Sequence, residues 1–321
     1  MRVLVTGGAG FIGSNVARML CDEGHTVTII DSLAFGFREL VDHRCRFIQA
    51  DLADTPMLRQ ALVGTDIVMH FAASSIISGS YSDPQEYVRN NVVNGAILLE
   101  AMRATGVRHL VYSSSASVYG EPEQVPVQED APKRPLHLYG ATKLAFEGLL
   151  QGYYHAFGIN SVSLRYFNAY GPGDLQEPVT RAVPRWIRAA LTGEPIVTYW
   201  KAQQYRDYVF VEDIARAHIR VLGWKGARVY NLGTGSGVLM AEVLALIQEL
   251  TARELTIVDG GERPGDPHRL VADVSRIQQE TGWCAQTGLR DGIMRTIAFY
   301  QQSRSLWDPG APGSQRERDC W

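Results

Sequence analysis

Cysteine is scarce: four among 321 residues, Cys21, Cys45, Cys284 and Cys320, with no C-x-x-C pair. A chain this long needs no disulfide staples, so neither a disulfide framework nor a paired-cysteine zinc site is expected. The eight histidines show no metal-ligand spacing, and no metal is expected. No apolar run approaches the roughly 18 residues of a membrane-spanning helix. The first apolar run begins at Arg2, which leaves no space for a signal peptide and makes the cytoplasm the expected location. Excess positive charge is missing too: 31 Lys and Arg face 34 Asp and Glu, a formal net charge of −3. Nucleic-acid binders usually carry a basic domain, so that class is disfavoured. With 45% hydrophobic residues the chain can bury a large core, which excludes disorder as a whole-chain reading. Glycine is in excess, 31 residues, which suggests many tight turns or ligand loops.

Short apolar runs rich in β-branched residues recur at 2–6 (RVLVT), 26–30 (TVTII), 46–50, 66–72, 109–114 and 161–167. Helical patterns lie between them, at roughly 11–23, 86–104 and from about Tyr139 onward. Strands alternating with helices predict βαβ units and a parallel sheet, whose strands, buried on both faces, read as continuous apolar runs. From about residue 170 the Gly and Pro content rises and the elements shorten. The expected class is α/β: a doubly wound parallel Rossmann sheet over 1–170 with later crossover segments, and a smaller C-terminal α/β substrate lobe over 171–302. The tail 303–321, rich in Gly, Pro and charge, is expected to be disordered.

Residues 6–13 read T-G-G-A-G-F-I-G, so Gly8, Gly10 and Gly13 fit G-x-G-x-x-G, and Gly7, Gly10 and Gly13 fit G-x-x-G-x-x-G. Either pattern alone is weak. Here it follows a strand and opens an amphipathic helix, the setting in which backbone N–H groups and a helix N-terminus bind a pyrophosphate. A ligand-free glycine turn is the competing reading. Asp31 stands 18 residues after Gly13, at the end of the second strand. Its carboxylate is placed for a ribose 2′-OH and would repel a 2′-phosphate, which favours NAD over NADP. Asp51, after the third strand, either reaches the adenine or caps a helix.

Tyr139-Gly-Ala-Thr-Lys143 is Y-x-x-x-K. On a helix these two positions share a face. The Lys143 ammonium is then expected to favour the Tyr139 phenolate, lowering its pKa from about 10 and making it a general base. An isolated Y-x-x-x-K is a frequent accident, but this one follows the glycine loop and a strand that ends in Ser113-Ser114-Ser115.

At this point the chain resembles the extended short-chain dehydrogenase/reductase family and, within it, the nucleotide-sugar epimerases. The matched stretches are TGGAGFIGS, Asp31, Asp51-Leu52, His70-Phe71-Ala72-Ala73, SSSASVYG (113–120), YGATK, LRYFNAYGPG (164–173), RDYVFVEDIARA (206–217), YNLGTG (230–235) and RPGDPHRLVAD (263–273). They cover roughly residues 1–300. The resemblance implies NAD as cofactor, held by Gly7, Gly10, Phe11, Ile12, Gly13, Asp31, Asp51, Leu52, Phe71, Ala72, Ala73, Ser113, Tyr139 and Lys143. It implies Ser115 as the hydroxyl on sugar O4, Tyr139 as acid/base and Lys143 as the group that binds the nicotinamide ribose and tunes Tyr139. Asn168 is implied on the sugar diphosphate, Arg206 and Arg263 on its phosphates, where a guanidinium fork fits well, and Asp266 on the nucleoside ribose. A homodimer is implied as well, and no nucleic-acid or membrane partner.

The implied reaction is inversion at C4 of a UDP-hexose through a transient 4-keto sugar. The family's 4,6-dehydratases carry an Asp-Glu pair where this chain has Ala116 and Ser117, and uronate decarboxylases carry a Glu at Ser117, so the sequence argues against both. Leu270 falls where a bulky Tyr in some galactose epimerases excludes N-acetyl groups. Arg181 falls where an amide is usual, and an arginine could pair with a C6 carboxylate. The narrow expectation is therefore UDP-glucuronate to UDP-galacturonate, with UDP-glucose or UDP-N-acetylglucosamine as the alternative; a nucleotide-sugar 4-reductase and a non-catalytic NAD sensor are further readings. Trp200-Lys201-Ala202-Gln203 replaces an expected Gly-Asp-Gly turn and has no functional explanation from sequence.

Overall fold

A computed structural model describes residues 1–262 and 267–311. Its centre is a sheet of seven strands, all parallel, in the spatial order Ala227–Leu232, Asn160–Tyr166, His109–Ser115, Ile67–His70, Arg2–Thr6, Thr26–Asp31, Arg46–Gln49. The order reverses around Arg2–Thr6, which opens a crevice at the carboxyl ends of the strands. Alternation divides the strand residues between two faces. Val3 and Val5 join one core with the helices Phe11–Asp22 and Val211–Arg220, whereas Leu4 joins the opposite core with Thr55–Leu62, Asn94–Thr105 and Leu138–Phe157. Covered on both sides, the strands read as the continuous apolar runs the sequence shows.

The seventh strand, Ala227–Leu232, comes from deep in the second half of the chain and adds to the edge formed by Asn160–Tyr166. Around it, short strands and the helices Ala182–Thr192, Met240–Thr251 and Leu289–Gln302 build a smaller lobe with its own core of Trp186, Ile187, Val243, Ile247, Ile293 and Tyr300. Among the described residues, no helix is long and apolar enough to cross a membrane.

Two sequence expectations are corrected here. The helix expected over 86–104 is a helix Pro84–Val88, a π-turn Arg89–Val93 and a helix Asn94–Thr105. The wider turn accommodates the buried Asn91, which bonds Ser74 N, Ser74 O and the Thr142 hydroxyl at 2.8–3.0 Å. Of the tail 303–321 expected to be disordered, Arg304–Trp307 form a helix instead, and residues 312–321 lie outside the described residues. Trp307 is 2% exposed, stacks edge-on against Tyr300 and donates Nε1–H to Tyr300 O at 2.8 Å. Composition signalled solvent; one aromatic anchor outweighs it. Trp307→Ala should cost about 3 kcal/mol of stability in denaturant titration, where a truly loose tail would show no change.

Candidate functional site

The crevice is a cavity of about 1010 Å³, at the upper end of the roughly 300–1,000 Å³ usual for ligand sites. Its floor is the glycine turn. Gly7 has φ +71°, and a Cβ there would lie 2.5 Å from Ala72 N; at Gly13 a Cβ would lie 2.3 Å from Gly7 O. Only glycine fits these two close approaches. The helix that follows has Gly10 as N-cap with no side-chain cap bond and no acidic residue in its first turn. Its first N–H groups therefore face the cavity uncompensated, which suits a pyrophosphate.

Asp31 ends the neighbouring strand and lines the same cavity. Its carboxylate accepts from Ala9 N (2.9 Å) and Leu33 N (2.8 Å). Burial raises its pKa, and those two N–H groups oppose the shift. Asp51 also lines the cavity, accepting from Ala53 N (2.7 Å) and Asn94 Nδ2 (3.1 Å). It caps its own turn rather than the next helix, whose cap is Asp54. Phe11, Ile12, Leu52, Phe71, Ala72, Ala73 and Ser113 line the walls. These residues fit a dinucleotide: a bare helix N-terminus for its diphosphate, a carboxylate for a ribose and an apolar slot between.

Tyr139 lies in the first turn of the helix Leu138–Phe157, which His137 caps by accepting from Gly140 N at 3.1 Å. Ser115, the last residue of its strand, accepts from Ser117 N through its hydroxyl at 3.1 Å and lies close enough to the Tyr139 phenol to lower its pKa. Lys143 is 2% exposed and donates to Ser113 O at 2.8 Å, with Nζ 5.8 Å from the Tyr139 ring centre. The expectation that Lys143 lowers the phenol pKa is corrected by these surroundings. Burial raises the Tyr139 pKa, and the Ser115 hydroxyl and the Arg181 charge only partly offset it. Lys143 is itself lowered to about 7 by burial, with Glu147 opposing. Desolvation penalises both charges more than they support each other.

Asn168, Arg206 and Leu270 reach the cavity from the smaller lobe's side. Asn168 Oδ1 is buried without a hydrogen-bond partner among the described residues. Arg206 is 5% exposed and donates Nη1–H to Tyr205 O at 3.0 Å. Arg263 and Asp266 lie outside the described residues. Arg181 lines the cleft but is already paired: Nη1 lies 2.6 Å from Asp174 Oδ1, and Nη2 donates to Gln176 Oε1 (3.3 Å) and Ser75 Oγ (3.4 Å). Asp174, Gln176 and Ser75 were not singled out from sequence; only a charge complementary to Arg181 seven residues earlier hints at them. Another missed residue is Glu147, one turn beyond Lys143, which could have been found by extending Y-x-x-x-K by four positions.

Of the residues left unassigned, His70 is 1% exposed, bonds the Thr6 hydroxyl at 2.7 Å and is lowered to about 3 by burial, so it is a packed, neutral histidine. Tyr119 is core, donating to Asn231 Oδ1 at 2.6 Å. Trp200, Lys201 and Ala202 hold φ values of 52°, 51° and 57°. This left-handed backbone costs roughly 1–2 kcal/mol per non-glycine residue, which explains why glycines are expected at this turn.

The Lys143 shift gives a stability test. Between about pH 7 and the unperturbed lysine range the unfolded chain binds one more proton than the folded one, so stability rises with pH. In nucleotide-stripped protein, wild type should gain on Lys143→Met by up to roughly 1.4 kcal/mol per pH unit across that window, read by denaturation at each pH. Parallel curves would refute it.

The model of the "NAD dependent epimerase/dehydratase family" matches residues 3–233. The UDP-glucose 4-epimerase of Corynebacterium glutamicum is 39% identical over 93% of this chain and 95% of its own. The Thermus thermophilus UDP-glucose 4-epimerase, solved in complex with NAD, superposes with a TM-score of 0.88 at 36% identity, covering 94% of this chain and all of that one. MoeE5, solved in complex with UDP-glucuronic acid and NAD, superposes with a TM-score of 0.86 at 36% identity, covering 94% and 100%. With the glycine turn, Asp31 and the Ser115–Tyr139–Lys143 cluster in place over that whole span, the chain belongs to the NAD-dependent epimerase/dehydratase family.

Proposed function

We propose that this protein interconverts UDP-glucose and UDP-galactose, as a UDP-sugar 4-epimerase that keeps its NAD through the cycle. The observation that carries the reading is the composition of the cleft around Ser115 and Tyr139. One hydroxyl and one phenol line the cavity together, and the next two positions, Ala116 and Ser117, line it without a carboxylate. Dehydration and decarboxylation need an added acid there; inversion at C4 needs none. Family membership and the UDP-glucose 4-epimerase relatives support the same reading.

Bound NAD supplies a hydride acceptor and donor, with no net redox change. Asp31 takes a ribose hydroxyl, and the glycine turn takes the diphosphate. Ser115 holds sugar O4 toward Tyr139. Tyr139 removes the O4 proton as C4 becomes a ketone and returns it once the sugar has presented its other face. Lys143, anchored on Ser113 O, holds the nicotinamide ribose beside Tyr139 and offsets the phenolate charge in the fraction that is protonated. Asn168, Arg206 and Arg263 grip the UDP diphosphate, and Asp266 its ribose.

UDP-glucose is favoured over UDP-glucuronate because the Arg181 charge is already met by the buried Asp174 carboxylate. Adding a substrate carboxylate would set two acids on one guanidinium. The glucuronate reading keeps one observation in its favour: the Arg181 side chain is still 32% exposed.

Tyr139→Phe should lower turnover by about 10²–10⁴-fold while the protein still co-purifies with NAD; unchanged turnover would remove Tyr139 from the chemistry. Offered UDP-glucose and UDP-glucuronate separately, wild type should yield galacto-configured anomeric NMR signals mainly from UDP-glucose. Arg181→Gln should change use of the two sugars by similar factors. A loss confined to UDP-glucuronate would instead establish the uronate as substrate.

A further inference from the structure

Cys21 sits in the last turn of the helix Phe11–Asp22, and Cys45 directly precedes the strand Arg46–Gln49. Their Sγ atoms are 3.5 Å apart, and both thiols are free and half-buried. Their chain neighbours pair as well: Arg44 Nη1 lies 2.8 Å from Asp22 Oδ1. Two successive residues of one segment thus meet two successive residues of the other. Backbone bonds hold each segment, Gly24 N to Cys21 O and Cys45 N to Asp42 O, both at 3.0 Å. A disulfide sets its sulfurs about 2.05 Å apart, so side-chain rotation has about 1.5 Å left to close.

The segment between the two cysteines is part of the nucleotide cleft. It contains the strand Thr26–Asp31, and Asp31, Ser32 and Ala34–Phe37 line the cavity. It is also stitched to the glycine turn: Phe37 N donates to Ala9 O, and Ala9 N to Asp31 Oδ2, both at 2.9 Å.

We propose that Cys21 and Cys45 are an oxidisable pair, converted by a small-molecule disulfide into an intrachain disulfide that closes a covalent loop around Asp31 and slows the exchange of bound NAD. The Cys21 thiol loses its proton to solvent and attacks one sulfur of the external disulfide, whose other half leaves as thiolate and is protonated. Cys45, deprotonated in turn, attacks the Cys21 sulfur of the mixed disulfide and expels the second small thiol. Two protein thiols are oxidised by two electrons in all, and one external disulfide is reduced to two thiols. Burial raises the pKa of both cysteines, Cys45 to about 12; Asp42 on the loop raises both further, Asp22 on the helix also raises Cys21, and Arg44 opposes. Thiolate is therefore scarce near neutrality, and the pair responds faster as pH rises.

The test uses the NAD-loaded protein, oxidised glutathione at mildly alkaline pH, and peptide mapping by mass spectrometry. The exposed Cys284 reports in the same sample that the oxidant is active. A 21–45 cross-linked peptide pair, lighter by two hydrogens and free of glutathione, is expected, whereas Cys45→Ser should leave Cys21 as a glutathione adduct. NAD release should be several-fold slower from the oxidised protein, and restored by a reductant. A stable Cys21 adduct beside a free Cys45 thiol, or both thiols still reduced once Cys284 is modified, overturns the pair. Equal NAD release from the oxidised and reduced forms overturns its link to the cleft.

Discussion

The site depends on one buried guanidinium. Arg165, 3% exposed on the strand Asn160–Tyr166, pairs through Nε and Nη2 with both oxygens of Glu147 at 3.0 and 2.6 Å. Its Nη1 donates to the Tyr119 hydroxyl (2.8 Å) and to Glu129 O (3.0 Å). Glu147 also accepts from Ser114 at 2.5 Å. Because Tyr139, Lys143 and Glu147 share one helix face, this knot fixes how that helix is rotated against the strand carrying Ser113 and Ser115. Breaking such a pair leaves an uncompensated buried charge and costs about 3–5 kcal/mol. The same knot reaches Asn231 of the seventh strand through Tyr119, so the edge of the sheet and the mouth of the cleft are held as one unit.

A second buried charge does the corresponding work on the small-lobe side. Asp207, fully buried, accepts from Thr234 N and Oγ1, Gly235 N and Ala272 N at 2.7–3.1 Å. It gathers two distant stretches of chain, 234–235 and 272, behind Arg206 and Leu270. Gly233 is required beside it, since a Cβ there would lie 2.3 Å from Asp207 Oδ2. The two walls of the cleft are thus each pinned by a buried ion satisfied locally, and the cavity lies between two rigid supports.

This hierarchy explains what was legible in the sequence. The glycine turn, Asp31 and the Tyr139–Lys143 pair could be read because each depends on local geometry: a close backbone approach, a strand end, a helical repeat. The parallel sheet could be read because burial on both faces leaves unbroken apolar runs. What depends on distant partners could not. Arg181 reads as a free cation until Asp174 is seen beside it, and Tyr139 reads as acidified until its own burial is weighed. The π-turn at Arg89–Val93 answers to Asn91, Ser74 and Thr142 together, and the order of the 304–307 segment answers to Tyr300. Trp200–Ala202 were noticed as a departure, but their left-handed backbone is visible only in three dimensions.

The seventh strand also has a consequence during synthesis. Asn160–Tyr166 is an outer strand of the sheet until Ala227–Leu232 leaves the ribosome, some sixty residues later. For that interval the nascent chain presents a sheet edge with unpaired N–H and C=O groups, the feature that invites pairing with a second chain. The late arrival is therefore a built-in point of vulnerability in the life of each molecule. A pause in translation within 167–226 would prolong it.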